Sequence, residues 1–147
     1  MTRIALVPCL AALVAAGCSK PEVQPLNEDE MAAVRHLQAI GAAYNRAYQA
    51  KRKPPASAAD LKPYLKAEPG APDPLVSPRD GQPIVIVPGI APDVRPASDD
   101  EQMIVAYEQN GVNGSRLTVD VRGTIVTYPP EQWAKLKFAG GHQPAGR

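Results

Sequence analysis

The sequence predicts an α+β domain in which a long N-terminal helix packs on an antiparallel sheet of about four strands. Two observations predict this class. Apolar residues between Met31 and Tyr48 recur every three or four positions, which is the spacing of one face of a helix. Short runs rich in β-branched residues follow further along the chain, and turn residues separate them. Strands that follow a helix, rather than alternating with helices, are typical of the α+β class.

The first element is predicted to be a helix of about 24 residues that begins after Asn27. Asn27 and Glu30 have the spacing of a capping box, in which each side chain accepts a hydrogen bond from the other residue's backbone. Gly41 lies mid-helix at a cost of about 1 kcal/mol relative to alanine, which predicts a close packing contact there. The predicted apolar stripe consists of Met31, Val34, Leu37, Gly41, Tyr44 and Tyr48.

The basic run at 51–53 and the two prolines after it mark the end of this helix. The basic run either complements the negative end of the helix or contacts a membrane surface. A second, short helix is predicted to open at Ser57, with Asp60 three residues later. Its packing face is predicted to be Leu61, Tyr64 and Leu65, and Pro63 is expected to interrupt its hydrogen bonds.

Two strands are predicted in the middle of the chain. The first covers 84–87 and has a proline on either side, which fits either an edge strand or an irregular one because proline cannot donate to a ladder. The second runs from about Gln102 to Glu108. The chain between 69 and 100 is otherwise rich in proline and is predicted to form loops.

The segment at 115–128, SRLTVDVRGTIVTY, predicts a hairpin with a defined register. A type I turn over 120–123 places aspartate at its first position and glycine at its last, where each is favoured. In that register Val119 faces Ile125, Leu117 faces Thr127, and Val121 is exposed in the turn. The preceding loop, NGVNG at 110–114, contains two Asn-Gly pairs, and either can supply the turn.

The C-terminal part is predicted to contain one more helix, over 130–137, which presents Trp133 and Leu136 to the core. The last nine residues, 139–147, are predicted to be disordered because they are rich in glycine and polar residues. A single domain is therefore expected over 27–138.

The first 18 residues indicate export. Arg3 precedes an apolar run, 4–16, that is too short to span the hydrocarbon core of a bilayer and is typical of a signal peptide over residues 1–17. The run ends in Ala15-Ala16-Gly17-Cys18, which resembles the lipobox of bacterial lipoproteins. The resemblance implies cleavage between Gly17 and Cys18 and lipid attachment to Cys18. The alternatives are a plain secretory signal with an incidental cysteine and an uncleaved anchor, and the short apolar run argues against the anchor.

Cysteine counting favours lipid attachment. The chain has two cysteines, and Cys9 lies in the signal peptide, so Cys18 would be the only thiol of the mature protein. Several acyl chains on one residue anchor a protein stably, whereas a single chain binds only marginally. Ser19 follows the cysteine, where by family analogy an aspartate would signal retention in the inner membrane, so we expect the outer membrane. Residues 18–26 would form a tether that reaches at most about 30 Å.

Composition excludes one class of partner. The chain has 16 basic and 15 acidic residues, and removal of the signal peptide takes away one basic residue. A neutral mature protein lacks the clustered positive charge that nucleic acid binding needs, so no nucleic acid partner is expected.

No motif for a catalytic or metal site is present in the sequence. The two histidines, His36 and His142, lie in unlike places, and no local pattern supports a Ser-His-Asp triad. Asp73 and Asp80 flank PLVSPR in a predicted loop, where carboxylate oxygens could bind calcium. The alternative is that Asp80 builds a turn. We therefore expect no enzyme, no cofactor and no metal site.

The order of a long helix, a proline-rich loop carrying DPLVSPRDGQP and a hairpin closed by glycine resembles the globular domain of type II secretion pseudopilins over 27–138. This implies a pilin-like fold. The sequence differs from that family at its start, where it has a lipobox and a tether in place of a long hydrophobic helix. The expected function is a membrane-anchored, non-catalytic interaction or structural module with a protein partner in the envelope, related to secretion or pilus-like assemblies. The alternative is a lipoprotein that binds a small ligand or calcium.

Overall fold

The computed structural model describes residues 27–66 and 70–144. The predicted signal peptide, Cys18 and the tether lie outside these residues. The helices are α1 (Glu28–Lys51), α2 (Ala58–Leu61) and α3 (Pro130–Trp133), with 3₁₀ turns at Lys62–Tyr64 and Ala139–Gly141. The strands are β1 (Ile84–Ile86), β2 (Glu101–Gln102), β3 (Ile104–Glu108), β4 (Arg116–Asp120), β5 (Ile125–Tyr128) and β6 (Lys137–Phe138). The predicted α+β class, a long helix on a four-stranded antiparallel sheet, is confirmed.

Helix α1 has the predicted length and the predicted start. Asn27 Oδ1 accepts the amide hydrogen of Glu30 at 2.8 Å, and Glu30 Oε2 accepts that of Asn27 at 3.1 Å. These two bonds satisfy donors that the first turn of a helix leaves free. The helix ends at Arg52, which adopts a left-handed conformation and donates its amide hydrogen to the Tyr48 carbonyl. None of the described helices has the length and apolar character needed to cross a membrane.

The buried face of α1 differs in part from the predicted stripe. Met31 is 43% exposed and Tyr48 only partly buried, so both predictions of burial were wrong in degree. Small residues take part in the buried face because they allow the helix to approach the sheet closely. At Gly41 an added Cβ would lie 2.9 Å from Val119 Cγ2, which confirms the predicted close contact. The buried residues of α1 are Ala33, Leu37, Ile40, Gly41, Ala43, Tyr44 and Ala47.

The four-stranded sheet has the order β1-β3-β4-β5, and all neighbours are antiparallel. Strand β1 lies at one edge, which is one of the two alternatives that the flanking prolines fit. Directly paired residues share a face of a sheet. The row from Ile86 through Ala106 and Val119 to Ile125 therefore faces α1, and the row from Val85 through Tyr107 and Thr118 to Val126 faces away from it.

The strand predicted from Gln102 to Glu108 is two strands, so this prediction was wrong. The chain breaks at Met103, whose carbonyl accepts the amide hydrogen of Val121 at 3.0 Å. Before the break, β2 pairs in parallel with β6, whose residues lie 36 positions later at Lys137 and Phe138. A local pattern cannot distinguish one long strand from two short strands with different partners.

The β4–β5 hairpin has the predicted register, with Leu117 opposite Thr127 and Val119 opposite Ile125. The turn is also as predicted. The backbone carbonyl of Asp120 accepts the Gly123 amide hydrogen at 3.0 Å, and Gly123 has φ +84°. The expected exposure of Val121 was wrong, because this residue is partly buried against the core and its amide is bonded to Met103.

The loop before this hairpin makes its turn at the second Asn-Gly pair. Val112 and Ser115 exchange backbone hydrogen bonds of 3.1 and 2.9 Å across Asn113 and Gly114. Both central residues have positive φ, 52° and 75°, which defines a two-residue turn of type I′. The structure thus resolves the ambiguity that the sequence left.

The second helix begins after Ser57 as predicted and is short. It covers one turn, Ala58–Leu61, and tightens into a 3₁₀ turn at Pro63. Asp60 Oδ2 accepts the amide hydrogen of Ala56 and the hydroxyl of Ser57. Leu61 is fully buried, whereas Tyr64 and Leu65 are partly buried against the core.

The C-terminal segment corrects two predictions. Helix α3 ends at Trp133, shorter than expected, although Trp133 and Leu136 are buried as predicted. Residues 139–144 are not disordered: they form a 3₁₀ turn, and Pro144 is buried. His142 Nε2 lies 3.0 Å from the Tyr107 hydroxyl. The segment is ordered because aromatic side chains on the far side of the sheet provide a surface for it.

Candidate functional site

A buried polar network joins the loop before β1 to the sheet. Glu108, at the end of β3, has 0% exposure and lies 2.7 Å from the guanidinium of Arg79, whose side chain is 7% exposed. Ser77 donates its hydroxyl hydrogen to Glu108 Oε1 at 2.8 Å, and Leu117 donates its amide hydrogen to Oε2 at 2.9 Å. The carboxylate therefore accepts three bonds and holds the loop on the sheet.

The sequence does not predict this network. A glutamate after four apolar strand residues is usually the point where a strand leaves the core, and a buried carboxylate is rare unless it is paired. The only sequence feature that could have indicated the network is the occurrence of Ser77 and Arg79 in one loop. This feature does not indicate which acidic residue they contact. Both carboxylate oxygens are used in structural bonds, so the network stabilises the fold.

Both candidate calcium ligands accept hydrogen bonds from backbone amides. Asp73 Oδ1 accepts the Leu75 amide hydrogen at 2.9 Å. Asp80 Oδ1 accepts that of Gln82, and its Oδ2 accepts those of Asn110 and Gly111. The interpretation that Asp80 builds a turn is confirmed. Over 27–66 and 70–144, the structure contains no group of three or more potential metal-binding side chains.

The two histidines lie on separate parts of the fold. His36 Nδ1 is 3.2 Å from the Val76 carbonyl, beside α1. His142 belongs to an aromatic cluster on the opposite side of the sheet. In this cluster the ring centroids of Tyr107 and Trp133 are 4.9 Å apart, and the Arg116 guanidinium lies 4.6 Å from the Trp133 centroid. The cluster attaches the C-terminal segment to the sheet.

Two tyrosines of α1 position the proline-rich loop that follows β1. Tyr44 is fully buried and donates its hydroxyl hydrogen to the Ile90 carbonyl at 2.9 Å. Burial raises the pKa of Tyr44 to about 12. Tyr48, one turn later, donates to Asp93, and this hydrogen bond raises the pKa of Tyr48. The loop is thereby held at the C-terminal end of α1.

This loop forms one wall of a cleft that we call the distal cleft. It comprises two adjoining hollows of about 340 and 480 Å³. The residues that line both hollows are Val94, Arg95, Pro96, Glu101 and Met103. Val94 is 60% exposed, the highest value among the large hydrophobic side chains of the described residues.

The two hollows differ in chemistry. The larger one is lined mainly by apolar residues, including Ile90, Ala91 and Ala139, and by the backbone at 140–141, and its charged residues are the shared Arg95 and Glu101. The smaller one contains charged groups of both signs. Most of its carboxylates already accept hydrogen bonds: Asp93 from Tyr48, Asp120 from two backbone amides, and Glu101 from the Ala97 amide.

The two arginines of the smaller hollow, Arg95 and Arg122, differ from these carboxylates. The guanidinium groups of Arg95 and Arg122 make no ion pair or hydrogen bond to any other residue that the structure describes. The lining of the smaller hollow therefore carries four carboxylates and two guanidinium groups without an ion pair to a described residue, and it adjoins the apolar hollow.

No family model matches the chain, and no curated protein or solved structure is significantly similar to it.

Proposed function

We propose that this protein is a lipid-anchored lipoprotein of the bacterial cell envelope that acts as a non-catalytic protein-interaction module. The lipid is attached to Cys18, and the tether at 18–26 holds the domain at the periplasmic side of the outer membrane. A role in a secretion or pilus-like assembly is the narrower form of this proposal, and it rests on the sequence resemblance to pseudopilins.

The observation that supports an interaction role is the contrast between α1 and the distal cleft. The apolar face of α1 packs on its own sheet, with Leu37, Ile40 and Tyr44 fully buried, so this face is not available to a membrane or to another helix. Val94 and the apolar hollow beside it remain open. Concave apolar surfaces that carry a few polar groups are typical of binding sites.

The position of the cleft suits a tethered protein. The tether precedes Glu28, at the N-terminal end of α1, whereas Tyr48 contacts the cleft loop near the C-terminal end. Twenty residues of helix separate these points, which corresponds to about 30 Å. The cleft therefore lies near the C-terminal end of α1, whereas the tether precedes the N-terminal end in the sequence.

The chemistry of the cleft specifies the partner segment. We expect an extended segment of an envelope protein that places an apolar side chain in the larger hollow and an adjacent carboxylate at the guanidinium of Arg95, which lines both hollows. Burial of one large apolar side chain contributes roughly 1.5 to 3 kcal/mol. Arg95 is exposed, so its charge pair contributes mainly specificity.

Site-specific photocrosslinking in intact cells tests the cleft. A photoreactive amino acid replaces Val94 in the full-length protein, and a matched control replaces Ala50, which is exposed on α1. We expect an adduct at 94 and none at 50. Arg95→Glu should abolish the adduct, whereas Arg35→Glu, on an exposed part of α1, should not. The crosslinked partner peptide should carry an acidic residue beside an apolar one.

Equal adducts at both positions, or an adduct that survives Arg95→Glu, would contradict this assignment of the cleft. Titration with calcium chloride in a calorimeter tests the alternative ligand. Because Asp73 and Asp80 already accept backbone bonds, we expect no saturable heat of binding.

A separate experiment tests the anchor. Cys18→Ser should abolish metabolic labelling with a fatty acid and leave an uncleaved precursor. Mass spectrometry of the mature wild-type N-terminus should find acyl chains on Cys18. An unmodified Cys18 would rule out the lipoprotein proposal.

A further inference from the structure

The loop at 110–114 contains a reactive sequence pattern twice. In an Asn-Gly pair, the backbone nitrogen of glycine can attack the side-chain amide carbon of asparagine, and the absence of a Cβ on glycine makes this attack easy. The two pairs, Asn110-Gly111 and Asn113-Gly114, have the same reacting groups. The structure holds these two pairs in different environments.

At the second pair, Asn113-Gly114, the attacking backbone nitrogen of Gly114 is not hydrogen-bonded to a described residue. Asn113 is exposed, and the type I′ turn leaves the Gly114 amide without a hydrogen bond to any described residue. The Asn113 side-chain amide also makes no hydrogen bond within that part of the chain. Neither reacting group must break a hydrogen bond to another described residue before they meet.

At the first pair, Asn110-Gly111, the attacking backbone nitrogen of Gly111 is hydrogen-bonded. Asp80 Oδ2 accepts the Gly111 amide hydrogen at 2.8 Å and the Asn110 amide hydrogen at 3.2 Å. A bond to a carboxylate is stronger than a bond between neutral groups. The negative charge also opposes removal of the proton from the Gly111 amide, a removal that the attack requires.

We propose that Asn113 is a site of spontaneous deamidation and that Asp80 protects Asn110 from the same reaction. The Gly114 nitrogen bonds to Asn113 Cγ, the Cγ–Nδ2 bond breaks, and the departing ammonia carries away the amide proton of Gly114. Water then opens the cyclic imide at either of its carbonyl carbons, giving aspartate or isoaspartate. The reaction requires no oxidant or reductant.

The two products affect the turn differently. Aspartate tolerates the left-handed conformation that Asn113 adopts, so this product keeps the turn and adds one negative charge. Isoaspartate adds a backbone atom between the residues of a two-residue turn. It therefore disrupts the paired hydrogen bonds between Val112 and Ser115.

Peptide mapping by mass spectrometry after incubation at neutral pH tests the proposal, because it resolves the two asparagines in one protein. In the native protein we expect Asn113 to react at least about tenfold faster than Asn110, the factor expected for one charge-assisted hydrogen bond. In guanidinium chloride the two rates should become similar, since glycine follows both residues. Asp80→Ala should bring the native Asn110 rate close to its denatured rate.

A native Asn110 rate equal to or above that of Asn113 would overturn the proposal. So would the absence of native deamidation over a period in which the denatured chain reacts at both sites. An unchanged Asn110 rate in folded Asp80→Ala would refute the protective role of Asp80. If this variant does not fold, the ratio of native to denatured rates in the wild-type protein still decides the order of the two sites.

Discussion

Helix propensity and the close contact between α1 and β4 predict opposite effects of Gly41→Ala on the stability of the protein. An alanine in a helix is about 1 kcal/mol more favourable than a glycine, so Gly41→Ala should stabilise the protein if propensity alone counted. The added Cβ, however, would lie 2.9 Å from Val119 Cγ2. Val119 is fully buried, and its β-branched side chain has few alternative rotamers, so it cannot move aside freely.

Overpacking of a core costs about 1 to 3 kcal/mol. After subtraction of the propensity gain, we expect Gly41→Ala to lower the free energy of unfolding by roughly 0 to 2 kcal/mol. Val119→Ala alone should cost about 2 to 3 kcal/mol through lost burial and the cavity left behind. In the Val119→Ala background, Gly41→Ala should stabilise the protein by about 1 kcal/mol, because the clash is gone.

Urea unfolding of the protein, followed by fluorescence of the single tryptophan, measures all four corners of this cycle. Ala42→Gly, at the exposed neighbouring position, supplies the matched control for the propensity term. The reasoning is refuted if Gly41→Ala stabilises the wild-type background as much as it stabilises the Val119→Ala background. In that case the valine would yield to the new methyl group at no cost.

Three further predictions concern other parts of the fold. Tyr44 has a folded pKa of about 12 against an ordinary value of 10.0, so its contribution to stability is complete below pH 10 and is lost as the pH rises to 12. The free energy of unfolding should therefore fall by up to about 3 kcal/mol less between pH 10 and pH 12 in Tyr44→Phe than in the wild-type protein, as measured by urea unfolding at several pH values. Gly123→Val should cost about 1 to 2 kcal/mol because Gly123 has positive φ and open space around it, and Gly123→Asn should cost less; equal losses would contradict this origin. Glu108→Gln leaves the buried Arg79 without its counter-charge and should cost about 3 kcal/mol, whereas Lys51→Met, in an exposed pair, should cost less than about 1 kcal/mol in the same assay.

The sequence by itself determined the elements whose causes are local. Asn27 and Glu30 cap α1 within one turn, so these two residues were enough to place its start. The hairpin register followed from Asp120 and Gly123, because the turn and its flanking pairs lie within a few residues. The candidate lipid site at Cys18 is likewise a short pattern, and its assignment still rests on sequence.

Only the tertiary structure decided which distant residues meet. The parallel pairing of β2 with β6, the burial of Glu108 beside Arg79, and the order of residues 139–144 all depend on contacts between segments more than 25 positions apart. The distal cleft has the same origin, since it is formed by a loop, a hairpin turn and the C-terminal segment. Local propensities contain no information about these contacts, because the free energy of each comes from burial and pairing that exist only once the chain has folded.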